Sequence, residues 1–147
     1  SNWARPGGEC RHNLAYWRYQ DYVGIGPGAH GRRAGSATVR HRKPENWLDG
    51  VAAQGHGIAE ARVLGAREQA SEAVLMGLRL AEGIDITALA ARFGLTPDQL
   101  CNPAKAAFYQ SQAMLWQEGS RLGVTPIGMP LLDGLLAELV PAELVAP

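Results

Sequence analysis

The stretch Cys10-Arg11-His12-Asn13-Leu14-Ala15-Tyr16-Trp17-Arg18 gathers side chains suited to a metal-bearing aromatic ligand. A neutral imidazole such as that of His12 is a good ligand for iron or zinc. Tyr16 and Trp17 offer flat apolar faces that match a planar macrocycle. Arg11 and Arg18 can meet carboxylates. The set therefore suits a haem or porphyrin, with His12 on the iron in one of the standard modes of axial ligation. Cys10 offers a thiolate in place of His12, although a single cysteine is more often inert. The same residues also describe a histidine hydrogen-bonded among packed aromatics, and by themselves they leave both readings open.

A second stretch, Gly24-Ile25-Gly26-Pro27-Gly28-Ala29-His30, follows a short apolar run. Gly24-x-Gly26-x-x-Ala29 fits a loose dinucleotide fingerprint, but that fingerprint needs a helix start aimed at the pyrophosphate. Gly31, two arginines and Gly35 come next, so the dinucleotide reading is rejected. Glycines here serve either a closely approaching ligand or tight packing at a strand end. His30, His41 and His56 are scattered, with no nucleophile-base order around them. Glu82 and Asp85 read as helix-end solvation and not as a general acid/base pair.

The elements that must position these residues fall into two styles. Residues 1–11 read as a strand end running into a Pro-Gly-Gly loop, and 12–19 as one or two helical turns that put His12 and Tyr16 on one face. Asp21 to Ile25 and Thr38 to Arg42 read as strands, with Gly31 to Gly35 as the turn between. From Pro44 the pattern is helical. Helices are expected from Pro44, over 66–81, over Ile86 to Phe93 with Asp85 or Thr87 as cap, from Pro97 with Thr96 as cap, and over about 103–118. A strand at Arg121 to Val124 precedes a last helix capped by Thr125 and ended by Pro141, with a frayed tail. The expected fold class is α+β, mostly α. Residues 44–140 form a winged-helix-like helical domain, 141–147 a tail, and 1–43 the end of a sheet-based domain that begins upstream. The chain thus reads as a C-terminal piece.

Composition narrows the classes. The chain has 147 residues, 46% of them apolar and 19% charged, enough for a core. A formal net charge of +0 argues against a nucleic-acid module. Arg5, Arg11, Arg18, Arg32, Arg33, Arg40, Arg42 and Lys43 all precede residue 44, so the first third is locally basic. That suits an anionic small molecule or a set of solvated arginines equally. Two cysteines with ninety residues between them make no zinc knuckle and leave a disulfide open. Their scarcity, and no run near the length of a membrane span, favour a cytoplasmic setting.

SNWARPG, CRHNLAYWRYQDYVGIGPGAHG, EAVLMGLRLAEGID and GVTPIGMPLLDGLLAEL together resemble the C-terminal half of the oxygen-independent coproporphyrinogen III oxidase-like family. His12-Asn13-x-x-Tyr16-Trp17 resembles the signature of its haem-chaperone branch. The resemblance implies a radical S-adenosylmethionine protein whose partial (β/α) barrel ends within 1–43 and is followed by a helical domain. It implies haem bound through His12, Tyr16 and Trp17, with His12 on the iron, and S-adenosylmethionine bordering Ala29 and His30. It implies delivery of haem to receiving proteins such as respiratory enzymes, some of them membrane-associated. The C-x-x-x-C-x-x-C loop that holds the family's [4Fe-4S] cluster is absent from these residues, so this chain alone cannot start radical chemistry. The alternative within the family is the oxidase itself, which decarboxylates porphyrinogen propionates.

Overall fold

The computed structural model describes residues 4, 5 and 7–145. Along the chain run α1 (Arg11–Trp17), β1 (His30–Arg33), β2 (Ser36–Arg40), α2 (Pro44–Gln54), β3 (Ile58–Val63), α3 (Ala66–Gly77), β4 (Ile84–Asp85), α4 (Ile86–Phe93) and α5 (Pro97–Leu100). Then come α6 (Pro103–Ser111), β5 (Leu115–Glu118), β6 (Arg121–Val124), a 3-10 turn (Met129–Leu131), α7 (Leu132–Leu139) and α8 (Ala142–Val145). The class is α+β. Two compact units form: a helical unit of residues 1–19 and 66–147, and a hairpin unit of residues 20–65. The boundary expected at 43/44 falls inside the second. Of the strand end expected at Ser1 to Ala4, only Ala4 is described, and it has no regular structure.

The helical unit is built on local signals that agree with its packing. Asp85 accepts the Ala88 N–H and caps α4, which ends at left-handed Gly94. Thr96 and Gln99 form a capping box on α5, and Asn102 accepts from Ala104 and Lys105 at the start of α6. Leu132, Leu135, Leu136 and Leu139 make one buried stripe on α7 that meets Ala70, Val74 and Leu78 in the same core. Sheet order is β4-β6-β5, all antiparallel, with Ile84 opposite Leu122 and Leu115 opposite Val124. Leu122, in the central strand, is 1% exposed.

Four expectations fail here for physical reasons. The helix expected to 118 stops at Ser111, because Ala113 is left-handed (φ 56°) and Leu115–Glu118 pairs with β6. Cross-strand pairing overrides the helix-forming composition of that segment. The helix expected to 81 ends at Gly77, because the Arg79 and Leu80 N–H groups bond three residues back, to the Met76 and Gly77 carbonyls at 3.1 and 3.0 Å, and tighten the chain into a turn. Thr125 caps no helix: its hydroxyl donates to the Ala113 carbonyl at 2.7 Å and accepts from the Gly128 N–H. α7 starts later, at Leu132, and within the tail expected to fray α8 buries Leu144 at 3% exposure.

The hairpin unit is an antiparallel sheet in the order β1-β2-β3. Ala34 and Gly35, both left-handed, make the tight turn between Arg33 and Ser36. This turn is shorter than the expected Gly31 to Gly35, and β2 ends at Arg40 instead of Arg42. The strand expected at Asp21 to Ile25 is reduced to a single bridge, Tyr22 to Arg32. β3 was not anticipated, although Glu60 and Arg62 alternate with Ala59, Ala61 and Val63 at strand period. Only Gly24, Gly31, Arg32, Gly57 and Leu64 are buried in this unit. Val23, Ile25, Leu48, Val51 and Val63 are exposed. Among the described residues no helix is long and apolar enough to cross a membrane.

Candidate functional site

α1 carries the motif. Its length of 7 residues matches the expected one or two turns, and none of its residues is buried. His12 is exposed, while Tyr16 and Trp17 are half-buried. The Tyr16 and Trp17 rings meet edge to face at 5.2 Å between centroids. The Arg79 guanidinium sits 6.0 Å from the Trp17 ring centroid. Arg18, expected to meet a ligand carboxylate, is already engaged: its Nε and terminal nitrogen donate to the two oxygens of Glu82, each at 2.8 Å. This fork, with the attraction of the charges, holds the Glu82 carboxyl below its ordinary range and raises Arg18.

Behind α1 lies an open cleft of about 1380 Å³, entirely within the helical unit. Asn13 and Trp17 form one wall, and Met114, Met129, Leu131 and Leu135 the other. Neither His12 nor Tyr16 lines it. The motif is therefore divided: Trp17 faces the cleft, and His12 stands at an exposed surface. The helical period accounts for the division, since residues 12 and 16 share a face that residue 17 leaves by about 100°. Arg79, Met114 and Met129 reach the cleft from distant elements, so no local pattern points to them.

Ala29 and His30 belong to the hairpin unit, and His30 opens β1, half a turn of loop after left-handed Gly26 and Gly28. The glycines here serve the backbone itself. A side chain on Gly24 would overlap the His30 carbonyl, the Gly28 N–H donates to the His41 carbonyl at 2.8 Å, and the Arg40 Nε donates to the Gly24 carbonyl. A strand follows this loop and no helix, in agreement with rejection of a dinucleotide site.

Both cysteines are free, which removes the possibility of a disulfide between them. Cys101 is buried, and burial pushes its thiol up to about 11, so it stays protonated and inert at neutral pH. Cys10 is exposed. One thiol per chain is thus expected to react with an aromatic disulfide reagent in native buffer, and a second only in denaturant. Two fast native thiols would show that the Cys101 side of the core is open. Among the described residues no group of three His, Cys, Asp or Glu side chains converges to hold a metal ion.

The comparisons with known proteins agree on one relationship. The HemN C-terminal domain pattern matches residues 64–131, starting close to where the helical unit resumes. The Heme chaperone HemW of Mycobacterium tuberculosis is 34% identical over 140 residues, covering 95% of this chain and 34% of that protein. The Heme chaperone HemW of Escherichia coli is 32% identical over 152 residues, covering 97% of this chain and 37% of that protein. The chain thus spans about a third of the length of these relatives. Among solved structures, the coproporphyrinogen III oxidase HemN from Escherichia coli, described as a radical SAM enzyme, superposes with a TM-score of 0.61. That match covers 80% of this chain and 28% of the oxidase at 14% identity, which is a likeness of fold. On the sequence relatives and the domain match together, this chain belongs to the HemN family, as a C-terminal part of the HemW type.

Proposed function

We propose that this chain is the haem-binding C-terminal part of a haem chaperone that carries haem to receiving proteins in the cytoplasm. One observation carries the reading: α1 presents His12 at an exposed surface, one helical turn from Tyr16, whose ring meets that of Trp17 edge to face. His12 supplies an axial nitrogen, the Tyr16 ring on the same helical face packs the macrocycle, and Trp17, turned toward the cleft, backs Tyr16 edge to face. Such a site is open, and an open site suits a carrier, because the ligand leaves without unfolding a lid. The names of the HemW relatives support the same ligand.

Within this reading, residues 1–43 close a partial radical-SAM barrel and Ala29 and His30 border S-adenosylmethionine. The winged-helix-like part runs from α3 onward inside the helical unit, and α8 packs Leu144 against the same core. The order α3, β4, α4, α5, α6 and the β5–β6 hairpin supports the winged-helix part. The [4Fe-4S] cluster does not fit the residues present: Cys10 and Cys101 cannot supply three thiolates, and one of them is buried. Radical chemistry therefore lies outside what these residues do. Receiving proteins include respiratory enzymes, some at a membrane. Nucleic acid is no partner, since Lys105 is the one cationic side chain in 97–118.

The test is a haemin titration of the intact polypeptide and its His12→Ala variant, followed at the Soret band. The variant is expected to lose at least the roughly tenfold in affinity that even an outer-shell partner of a ligand is worth. An unchanged affinity and an unchanged band position would remove His12 from the iron.

A further inference from the structure

A helix of seven residues is too short to stand alone in water. α1 buries none of its own residues, so something outside it must fix its orientation. That attachment lies just past its end. Tyr19 is 2% exposed, although it lies outside the main core cluster. It is left-handed (φ 53°), a conformation that non-glycine residues hold only where their surroundings impose it.

Three parts of Tyr19 are gripped by two other helices. Its hydroxyl donates to Glu72 Oε2 of α3 at 2.6 Å, in the range of a charge-assisted bond. Its ring meets Phe93 of α4 edge to face at 6.1 Å. Arg92 of α4 places its guanidinium 5.6 Å from the Tyr19 ring centroid and 5.1 Å from that of Phe93. The same guanidinium donates to the Tyr19 carbonyl at 3.1 Å. The exposed Arg18–Glu82 pair adds a weaker second tie.

We infer that Tyr19 is the positioning residue of α1, and that the Tyr19–Glu72–Arg92 clamp sets how His12, Tyr16 and Trp17 are presented. This rests on the haem-binding reading of α1, but it makes a claim of its own: Tyr19 touches no ligand and acts only through the helix that does.

The experiment is a double-mutant cycle in the intact polypeptide, with wild type, Tyr19→Phe, His12→Ala and the double variant titrated with haemin. Tyr19→Phe keeps the ring and removes only the hydroxyl. It is expected to weaken haemin binding about fivefold and to shift the Soret band, with a clearly smaller loss in the His12→Ala background. Equal losses in both backgrounds would mark a general structural effect and overturn the assignment, as would no loss in wild type. A measurement without haem keeps the two readings apart. The amides of Leu14 and Arg18, bonded to the Cys10 and Leu14 carbonyls at 3.0 and 2.8 Å, are expected to exchange about tenfold faster in Tyr19→Phe, with α3 unchanged. Unchanged α1 exchange would overturn the clamp whether or not haem binds. Faster exchange with a silent His12→Ala would keep the clamp and discard the haem assignment. Should Tyr19→Phe fold poorly, Arg92→Lys, which keeps the charge and loses the stacked fork, takes its place in the cycle.

Discussion

Gly83→Ala is expected to destabilise the helical unit by at least about 3 kcal/mol, a drop of roughly 10 °C or more in melting temperature. Two independent costs add. Gly83 is left-handed (φ 62°), which costs an L side chain roughly 1–2 kcal/mol. A Cβ there would also overlap the Leu122 carbonyl oxygen and lie 2.8 Å from its carbon and 2.9 Å from the Gly123 Cα. These are backbone atoms of the central strand of β4-β6-β5, so relief requires the sheet to move. Gly119 offers the control. It is left-handed as well (φ 58°), but a Cβ there meets nothing within 4 Å, so Gly119→Ala should cost only the conformational part. Thermal melts of the two variants separate the terms, and equal losses would show that the contact with Leu122 is not tight.

Leu78→Ala is the second large effect, at about 2–5 kcal/mol. Leu78 follows α3 directly, is 0% exposed and belongs to the cluster that joins α3 to Leu122, Leu136 and Leu139. Removing its terminal isopropyl group loses the transfer energy of the buried carbons and leaves a cavity that the surrounding helices close only in part. In urea the midpoint should fall while the slope stays as in wild type. Leu48 of α2, at 58% exposure, gives the contrast, and Leu48→Ala should stay within about 0.5 kcal/mol. A small loss at Leu78 would mean that the α3–α7 packing is not where the stability of this unit resides.

The parts of the fold written in adjacent residues were legible. Asp85, one of the two caps expected for α4, and Thr96 act on the very next turn and cap their helices, and α6 starts at Pro103 as expected. β5 was not legible, because Leu115 to Glu118 becomes a strand through pairing with β6, and a helical reading of its own composition is the natural one. The clamp was still further from view. Tyr19 finds its partners 53 and 73 residues away, and a left-handed tyrosine has no signature in a sequence. At the site, the motif itself was readable but its division was not: helical spacing puts Trp17 off the His12 face, and only the placement of Met114, Met129 and Leu135 shows that a cleft waits on the other side.

The hairpin unit, with its ladders of strand hydrogen bonds and its apolar side chains left in water, has a thermal character of its own. The heat-capacity increment of melting comes from apolar surface newly wetted, less an opposing share from polar groups. Val23, Ile25, Leu48 and Val63 are wet before melting begins, so this unit adds little to that increment. Its enthalpy of opening then stays nearly constant with temperature, and its free energy runs close to a straight line. The helical unit, rich in buried leucine, follows a dome with a maximum. Below that maximum, chilling weakens the helical unit and continues to tighten the hairpins.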